Sequence, residues 1–206
     1  AAPDFPVWVR INGREYGVRD GTTIEEAIEV SKRAEAAGSV AIHVSAYGPA
    51  TPTNRTTATF QSAVIAPLAA AIKAEVSVPV IAVGRITPQA AEALLERGSA
   101  DLIAMGKALL ADPEIPNKLA AEREEDIRPC IVCMYCRDAL RRADMAGIRC
   151  QVNPCVGSDH EPLPPLPERP RRVLVIGGGP AGMCAALSAA DRGHSVSLWE
   201  RSGQLG

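Results

Sequence analysis

Four cysteines lie close together in the 206-residue chain, at a spacing that suits metal chemistry. They are Cys130, Cys133, Cys136 and Cys150, which form the pattern C-x2-C-x2-C-x13-C. Three thiolates at every third position can face one pocket, and a fourth cysteine completes the set after a short excursion. This pattern favours a [4Fe–4S] cluster, in which each iron takes one cysteine sulfur.

Structural zinc is the alternative for the same four residues. Zinc sites usually take their cysteines from two separated pairs, so the run of three favours the cluster. Cys155 is close enough in sequence to compete with Cys150 as the fourth ligand. We otherwise expect Cys155 and Cys184 to be small buried side chains.

A glycine-rich loop, Gly177-x-Gly179-x-x-Gly182, follows an apolar, strand-like run. The first glycine permits a tight turn, the second lets a pyrophosphate approach the backbone, and the third lets the next helix pack closely. Glu200 follows the predicted strand Ser195–Trp199, about 20 residues downstream, where a carboxylate binds ribose hydroxyls. The residues predicted to bind a dinucleotide are therefore Gly177, Gly178, Gly179, Gly182 and Glu200.

Two pairs of glycine with a basic residue, Gly84-Arg85 and Gly106-Lys107, end two predicted strands in the first half of the chain. Glycine permits close backbone approach and the cation adds charge, so we predict a phosphate site here. Arg10 ends another predicted strand, where an inward cation needs an anionic partner such as a reduced flavin ring. A surface arginine is the alternative. We expect His43 to be a satisfied core residue, whereas Tyr47 is a weaker candidate for facing a substrate.

Short apolar runs alternate with amphipathic ones over the first part of the chain. Because the apolar runs are continuous, they predict strands buried on both faces, as in a parallel sheet under helices. Four such units resemble half of an eight-unit barrel. The predicted strands are Pro6–Ile11, Val40–Ser45, Val78–Val83 and Ala100–Met105, and the predicted helices are Thr23–Ala37, Ser62–Glu75 and Pro88–Arg97.

The predicted fold class is α/β, with four segments. Residues 1–120 form the C-terminal half of a TIM barrel, 121–157 bind the cluster, 158–172 are a proline-rich linker, and 173–206 begin a Rossmann-like domain. A lone βαβ unit leaves sheet edges open, so we expect the chain to be a piece of a longer polypeptide. The net charge of −2 predicts no nucleic-acid binding, and no apolar run is long enough for a membrane span. Cysteines at metal spacing indicate the cytoplasm.

These motifs together resemble the iron–sulfur flavoenzymes related to old yellow enzyme, the group of 2,4-dienoyl-CoA reductase, trimethylamine dehydrogenase and enoate reductase. The matching runs are Arg128–Cys136, Cys150–Pro154 and the linker with Gly177–Gly182. Val83–Ile86, Ala100–Ile103 and Leu110–Pro113 resemble the last two barrel units of that family.

The resemblance implies an FMN-binding barrel, a [4Fe–4S] cluster, a domain that binds FAD or ADP, and NAD(P)H as reductant. Arg10 would contact the pyrimidine end of FMN, and Gly84, Arg85, Gly106 and Lys107 would hold its phosphate. The catalytic residues would lie before residue 1. The implied reaction is reduction of an activated C=C bond of a small molecule, with electrons passing from FAD through the cluster to FMN.

Two other functions stay open. The C-x2-C-x2-C spacing is similar to that of the amine dehydrogenases, which would pass electrons to an external electron-transfer flavoprotein. A cluster-bearing electron carrier without a substrate site is the alternative outside the enzymes. The prediction allows an oligomer in the full-length protein.

Overall fold

The structure, a computed structural model, divides the chain into two compact units, Ala1–Ser158 and Asp159–Gly206. Each unit is described by itself. The residues that the structure describes are 5–49, 51, 62–142, 147–157 and 165–206.

The first unit contains a four-stranded parallel sheet with its strands in sequence order. The register pairs Val9 with Ile42, Ile42 with Val80, and Ile81 with Leu102. Parallel neighbours joined through helices confirm the predicted α/β class with a parallel sheet. The strands are β1 (Val9–Glu15), β2 (Ile42–Tyr47), β3 (Val80–Val83) and β4 (Leu102–Ala104).

Among the described residues, three α-helices connect these strands, and three shorter ones follow β4. Thr23 caps α1 in a capping box with Glu26, and Thr87 caps α3 ahead of Pro88, as these residue types favour. A short 3-10 turn, Glu124–Asp126, lies between the last two helices. The helices are α1 (Ile24–Ala36), α2 (Ala66–Lys73), α3 (Pro88–Glu96), α4 (Lys107–Ala111), α5 (Ile115–Ala120) and α6 (Tyr135–Ala139).

The core of this unit lies between the helices and one face of the sheet. Ile42 and Val80 are fully buried there and pack in one cluster with Leu68 and Ile72 of α2. Side chains alternate between the two faces of a strand, so Leu102, which is 50% exposed, belongs to the opposite face. The described helices pack on the face that carries Ile42 and Val80, and the other face of this part of the barrel is partly exposed at Leu102.

Strand β1 begins three residues later than predicted and continues through polar residues to Glu15. Residues 5–8 lie outside the strand, whereas Asn12 pairs with Ser45 and Glu15 with Tyr47. The apolar pattern alone missed this because backbone hydrogen bonds to β2 hold the polar half in the ladder. Arg10 consequently lies at the second position of β1, and not at its end.

The second unit contains β5 (Arg172–Ile176), α7 (Pro180–Asp191) and β6 (Ser195–Trp199). The two strands pair in parallel, Ile176 opposite Trp199. Of the predicted linker, residues 158–164 lie outside the described residues, and 165–171 contain no helix or strand. Among the described residues, no helix has the length and apolar character that a membrane crossing needs.

Candidate cofactor-binding sites

A cavity of about 720 Å³ lies at the ends of β3 and β4 in the first unit. Every residue for which an FMN contact is predicted lines this cavity, and the first cysteine of the quartet lies there as well. The structure therefore brings together side chains that are distant in sequence, namely Arg10, Gly84, Arg85, Gly106, Lys107 and Cys130.

The turn after β3 has a backbone that depends on glycine. Gly84 has φ +119°, and a Cβ added there would lie 2.4 Å from Cγ1 of Ile65. Arg85 also has a left-handed φ of +52°, and its carbonyl oxygen accepts hydrogen bonds from Ser62 Oγ (2.8 Å) and Ala63 N–H (3.2 Å). The position of the Arg85 backbone is thus fixed from the segment before α2.

The cavity carries positive charge in a partly desolvated place. Burial lowers the pKa of the half-buried Arg85 from its ordinary value, while the nearby Cys130 acts in the opposite direction. Arginine remains protonated under such a shift, so its charge is stabilised by an anionic ligand. Lys107 begins α4, and the Cβ position of Gly106 has no heavy atom within 4 Å, which leaves room for a ligand.

His43 lies beside Arg10 on the open face of the sheet, because these residues are partners in the β1–β2 register. Burial, and then the charge of Arg10, lower the pKa of His43. Its Nε2 is buried and has no hydrogen-bond partner among the described residues. Within the described residues, the prediction that His43 is a core histidine with its hydrogen bonds satisfied is therefore wrong. Tyr47 ends β2 and is 62% exposed.

The cysteine segment turns sharply on both sides of Cys133. Val132 and Met134 have left-handed φ angles of +52° and +61°, which is unusual for non-glycine residues and most of all for a β-branched one. Cys133 is exposed, and Cys136 is the second residue of α6. Backbone strain of this kind is found most often at functional sites.

The four cysteines are all free thiols, and three of them, Cys130, Cys136 and Cys150, are half-buried. In the described part of the chain, no three His, Cys, Asp or Glu side chains are arranged to hold a metal ion. The donor set itself suits an iron–sulfur cluster, because thiolates are its usual protein ligands. The quartet therefore stays a prediction.

Cys155 and Cys184 are both exposed, so the prediction that they are buried is wrong. Cys184 lies on α7, which has no buried residue among its twelve. Cys155 lies two residues after the buried Asn153, whose Oδ1 accepts the Cys155 N–H at 3.1 Å.

Two buried polar residues that the sequence analysis did not single out connect the cavity to the cysteine segment. Asp112 (3% exposed) follows α4 and accepts a hydrogen bond from the Arg128 N–H at 2.9 Å. Asn153 (5% exposed) donates to the Leu110 carbonyl oxygen at 2.9 Å. Both residues occur in the runs that resemble the family, but no sequence pattern indicates these contacts.

The glycine loop of the second unit has the close approach that the motif predicts. Gly177 has φ +106°, and a Cβ on Gly182 would lie 1.9 Å from the Gly177 oxygen, so the helix can pack there only through glycine. Gly179 precedes α7, and its Cβ position has no heavy atom within 4 Å. The loop therefore leaves open space at the N-terminus of a twelve-residue helix, which suits a phosphate group.

Glu200 lies next to this loop and binds it. Its Oε2 accepts the Gly178 N–H at 2.6 Å, and its Oε1 accepts the N–H and hydroxyl of Ser202 at 2.8 and 3.0 Å. The backbone N–H groups of Ser202 and Gly178 lower the pKa of Glu200 to about 2. A carboxylate has further acceptor positions, so these contacts leave capacity for ribose hydroxyls.

Residues 1–126 match the NADH:flavin oxidoreductase / NADH oxidase family, and residues 172–206 match the FAD dependent oxidoreductase family. The first match covers more than half of the chain. The chain therefore belongs to the NADH:flavin oxidoreductase / NADH oxidase family, in the group related to old yellow enzyme.

Several characterised proteins are similar over 98% of the chain. An NADH oxidase of Thermoanaerobacter brockii is 39% identical, and a cinnamate reductase of Clostridium sporogenes is 35% identical. An N,N-dimethylglycine/sarcosine dehydrogenase of Chromohalobacter salexigens is also 35% identical. The chain covers 32%, 33% and 30% of these relatives, about a third of their length.

A solved structure of 2-naphthoyl-CoA reductase in complex with 2-naphthoyl-CoA has a TM-score of 0.87 to this chain. It is 32% identical and covers 98% of the chain, which spans 31% of that protein. The relatives thus include both reductases and an amine-type dehydrogenase.

Proposed function

We propose that this chain is part of a flavin- and iron–sulfur-dependent oxidoreductase that reduces an activated C=C bond with NAD(P)H. The observation that carries the proposal is the cavity in which Arg10, Arg85 and Lys107 meet beside Cys130. When bound, FMN exchanges hydride with the substrate, FAD takes electrons from NAD(P)H, and a [4Fe–4S] cluster carries single electrons.

The residues of the first unit bind and orient the FMN. Gly84 and Gly106 present backbone without a side chain, so a phosphate can approach both turns closely. Arg85 and Lys107 neutralise the phosphate dianion, and the hydrogen bonds from Ser62 and Ala63 to the Arg85 carbonyl hold that turn in place. Arg10 would contact the pyrimidine end of the flavin.

The residues of the second unit would bind the ADP part of FAD. Gly177, Gly178, Gly179 and Gly182 leave space at the start of α7, and Glu200 would accept hydrogen bonds from ribose hydroxyls. Cys130, Cys133, Cys136 and Cys150 would hold the cluster, with Cys130 on the wall of the flavin cavity.

An amine dehydrogenase that passes electrons to an electron-transfer flavoprotein is the second candidate. The C-x2-C-x2-C spacing and the similarity to the N,N-dimethylglycine/sarcosine dehydrogenase favour it. The two candidates are distinguished by the compound that reduces or oxidises the purified holoprotein. Oxidation of the NADH-reduced protein by cinnamate supports the first candidate, and direct reduction by dimethylglycine supports the second.

The flavin site is tested by replacing Arg85 with alanine in the holoprotein. Loss of a charge-assisted contact should weaken FMN binding by about tenfold to a hundredfold and leave FAD unchanged. Arg97→Ala, at the C-cap of α3, removes the same side chain type outside the cavity and should change neither flavin. Both flavins are measured by chromatography after dialysis. Unchanged FMN content in Arg85→Ala would contradict the proposed phosphate site.

A further inference from the structure

Two buried polar residues join the wall of the cavity to both arms of the cysteine segment. We define the first arm as residues 128–136, which contain Cys130, Cys133 and Cys136, and the second arm as residues 148–156, which contain Cys150. We propose that Asp112 and Asn153 are positioning residues that fix these two arms to helix α4, so that the cysteines are held at a set place beside the cavity.

The carboxylate of Asp112 is the anchor of the first arm. Its Oδ2 accepts the Arg128 N–H at 2.9 Å and the Lys118 Nζ at 2.6 Å, and its Oδ1 accepts the Glu114 N–H at 3.1 Å. A buried carboxylate must be matched by donors, and three donors that occupy both of its oxygens restrict its orientation. The Arg128 backbone, two residues before Cys130, is therefore held against the end of α4.

Lys118 strengthens this anchor from the other side. Its Nζ also donates to the Asp126 carbonyl oxygen at 2.8 Å, so it holds the 3-10 turn that immediately precedes the first arm. Asp112 and Lys118 form an ion pair whose side chains are only 5% and 19% exposed. Such a shielded ion pair holds its two side chains together more strongly than an exposed surface pair does, because water screens the attraction less.

Asn153 is the anchor of the second arm. Its Nδ2 donates to the Leu110 carbonyl oxygen of α4 at 2.9 Å, across 43 residues of sequence, and its Oδ1 accepts the Cys155 N–H at 3.1 Å. Arg149 Nη1 donates to the Val156 carbonyl oxygen at 3.3 Å, so this hydrogen bond joins the two ends of the second arm. A buried amide that uses both its donor and its acceptor is fixed in orientation.

Helix α4 therefore contributes residues to the cavity and to contacts with both arms of the cysteine segment. Lys107 at its first position lines the cavity, Leu110 binds the second arm, and Asp112 at its C-cap binds the first arm. The proposal predicts that the two arms lose their fixed place when either anchor is removed, while the sheet stays folded. It rests on the proposed function only for the iron measurement in the test.

The test compares Asp112→Ala and Asn153→Ala with matched controls. Asp101 is the control for Asp112, because it also binds a lysine Nζ (Lys73, 2.6 Å) and a backbone N–H (Val80, 2.8 Å), and its hydrogen bonds in the described part of the chain involve neither arm. Asn117 is the control for Asn153, since among the described residues its side-chain amide binds only the side chain of Glu114. Asp112→Asn retains one oxygen for the Arg128 N–H and tests rescue.

The first measurement is backbone amide hydrogen exchange in iron-free protein. Asp112→Ala should raise the exchange rate of the Arg128 amide by about tenfold to a hundredfold, and Asn153→Ala should do so for the Cys155 amide, because each amide loses its acceptor. Asp101→Ala should affect only peptides around Val80, and Asp112→Asn should restore part of the protection, because it keeps one acceptor oxygen but loses the ion pair with Lys118. Wild-type exchange rates in both arms of both alanine variants would overturn the proposal.

The second measurement is the iron and sulfide bound after anaerobic reconstitution. Both alanine variants should bind less than about half of the wild-type iron, whereas Asp101→Ala and Asn117→Ala should bind the wild-type amount. Asp112→Asn should bind an intermediate amount, because it keeps an acceptor for the Arg128 N–H but loses the ion pair with Lys118. Equal iron loss in Asp101→Ala would mean general destabilisation and would overturn the positioning role. If the wild-type protein binds no iron, the proposed cluster fails, and the exchange measurement still decides whether the anchors position the arms.

Discussion

Replacing either of two glycines of the dinucleotide loop with alanine should have different effects, on packing at Gly182 and on ligand binding at Gly179. A Cβ on Gly182 would lie 1.9 Å from the Gly177 oxygen and 3.0 Å from its carbonyl carbon. Both atoms belong to the backbone, so helix α7 would have to move away from the glycine turn. On Gly179 the same methyl group would meet no heavy atom within 4 Å.

The magnitudes follow from these distances. Overpacking of this kind costs about 1–3 kcal/mol, and the better helix propensity of alanine offsets about 0.5–1 kcal/mol of it. The net cost is therefore between about 0 and 2.5 kcal/mol. Because 1.9 Å is far shorter than any normal contact, we expect Gly182→Ala to lower the free energy of unfolding of the second unit by an amount near the upper end, about 2 kcal/mol. Gly179→Ala changes the residue before the helix and should cost about 0.5 kcal/mol, because alanine is a poorer N-cap than glycine.

The assay combines amide exchange of α7 with ADP binding by calorimetry in the purified protein. Gly182→Ala should exchange faster in α7, whereas exchange in Gly179→Ala should stay within about twofold of wild type. Gly179→Ala should bind ADP at least about tenfold more weakly, since its methyl group occupies the phosphate space. Wild-type ADP affinity in Gly179→Ala would refute the phosphate assignment. Wild-type exchange in Gly182→Ala would refute the close packing.

Three further predictions concern the cysteines and the carboxylates. Cys133→Ser should lose the broad absorption of the reconstituted cluster near about 400 nm, whereas Cys184→Ser should keep it; equal retention would exclude Cys133 as a ligand. Hydrogen bonds from Lys118 and backbone N–H groups outweigh the effect of burial and lower the pKa of Asp112, so its contribution to stability is complete above about pH 4 and is lost as the pH falls through the folded pKa. Urea midpoints below pH 4 should therefore fall more steeply for wild type than for Asp112→Asn. The Glu200 carboxyl should titrate by NMR at a pH of about 2, and a midpoint above 4 would mean that its bonds to Gly178 and Ser202 are not formed.

Local patterns predicted the parallel sheet and its three connecting helices. Thr87 with Pro88 marked the start of α3, and the apolar runs found β2 and β3 to within two residues at each end. The predicted bounds of strand β1 differ from the observed ones because its C-terminal half is polar. Pairing with β2 holds that half in the sheet, and a hydrophobicity pattern does not detect such pairing. Helices α5 and α6, of six and five residues, are too short for periodicity to reveal.

The predicted site residues Gly84, Arg85, Gly106 and Lys107 do meet in one cavity, because consecutive parallel strands bring their C-terminal turns to the same edge. The roles of Asp112 and Asn153 could not be predicted. Each role depends on contacts between residues far apart in sequence. A single aspartate or asparagine gives no sign of them, because these residue types are also common in solvated turns. The burial of these two residues is visible only in the folded chain.

The most direct test of the central claim is the cofactor content of the protein purified without oxygen. We predict FMN together with about four iron and four acid-labile sulfide per chain, with Arg85→Ala losing the FMN but keeping the iron. Stoichiometric zinc without sulfide, or FMN retained equally by wild type and Arg85→Ala, would contradict the account of a flavin cavity bordered by the cysteine segment.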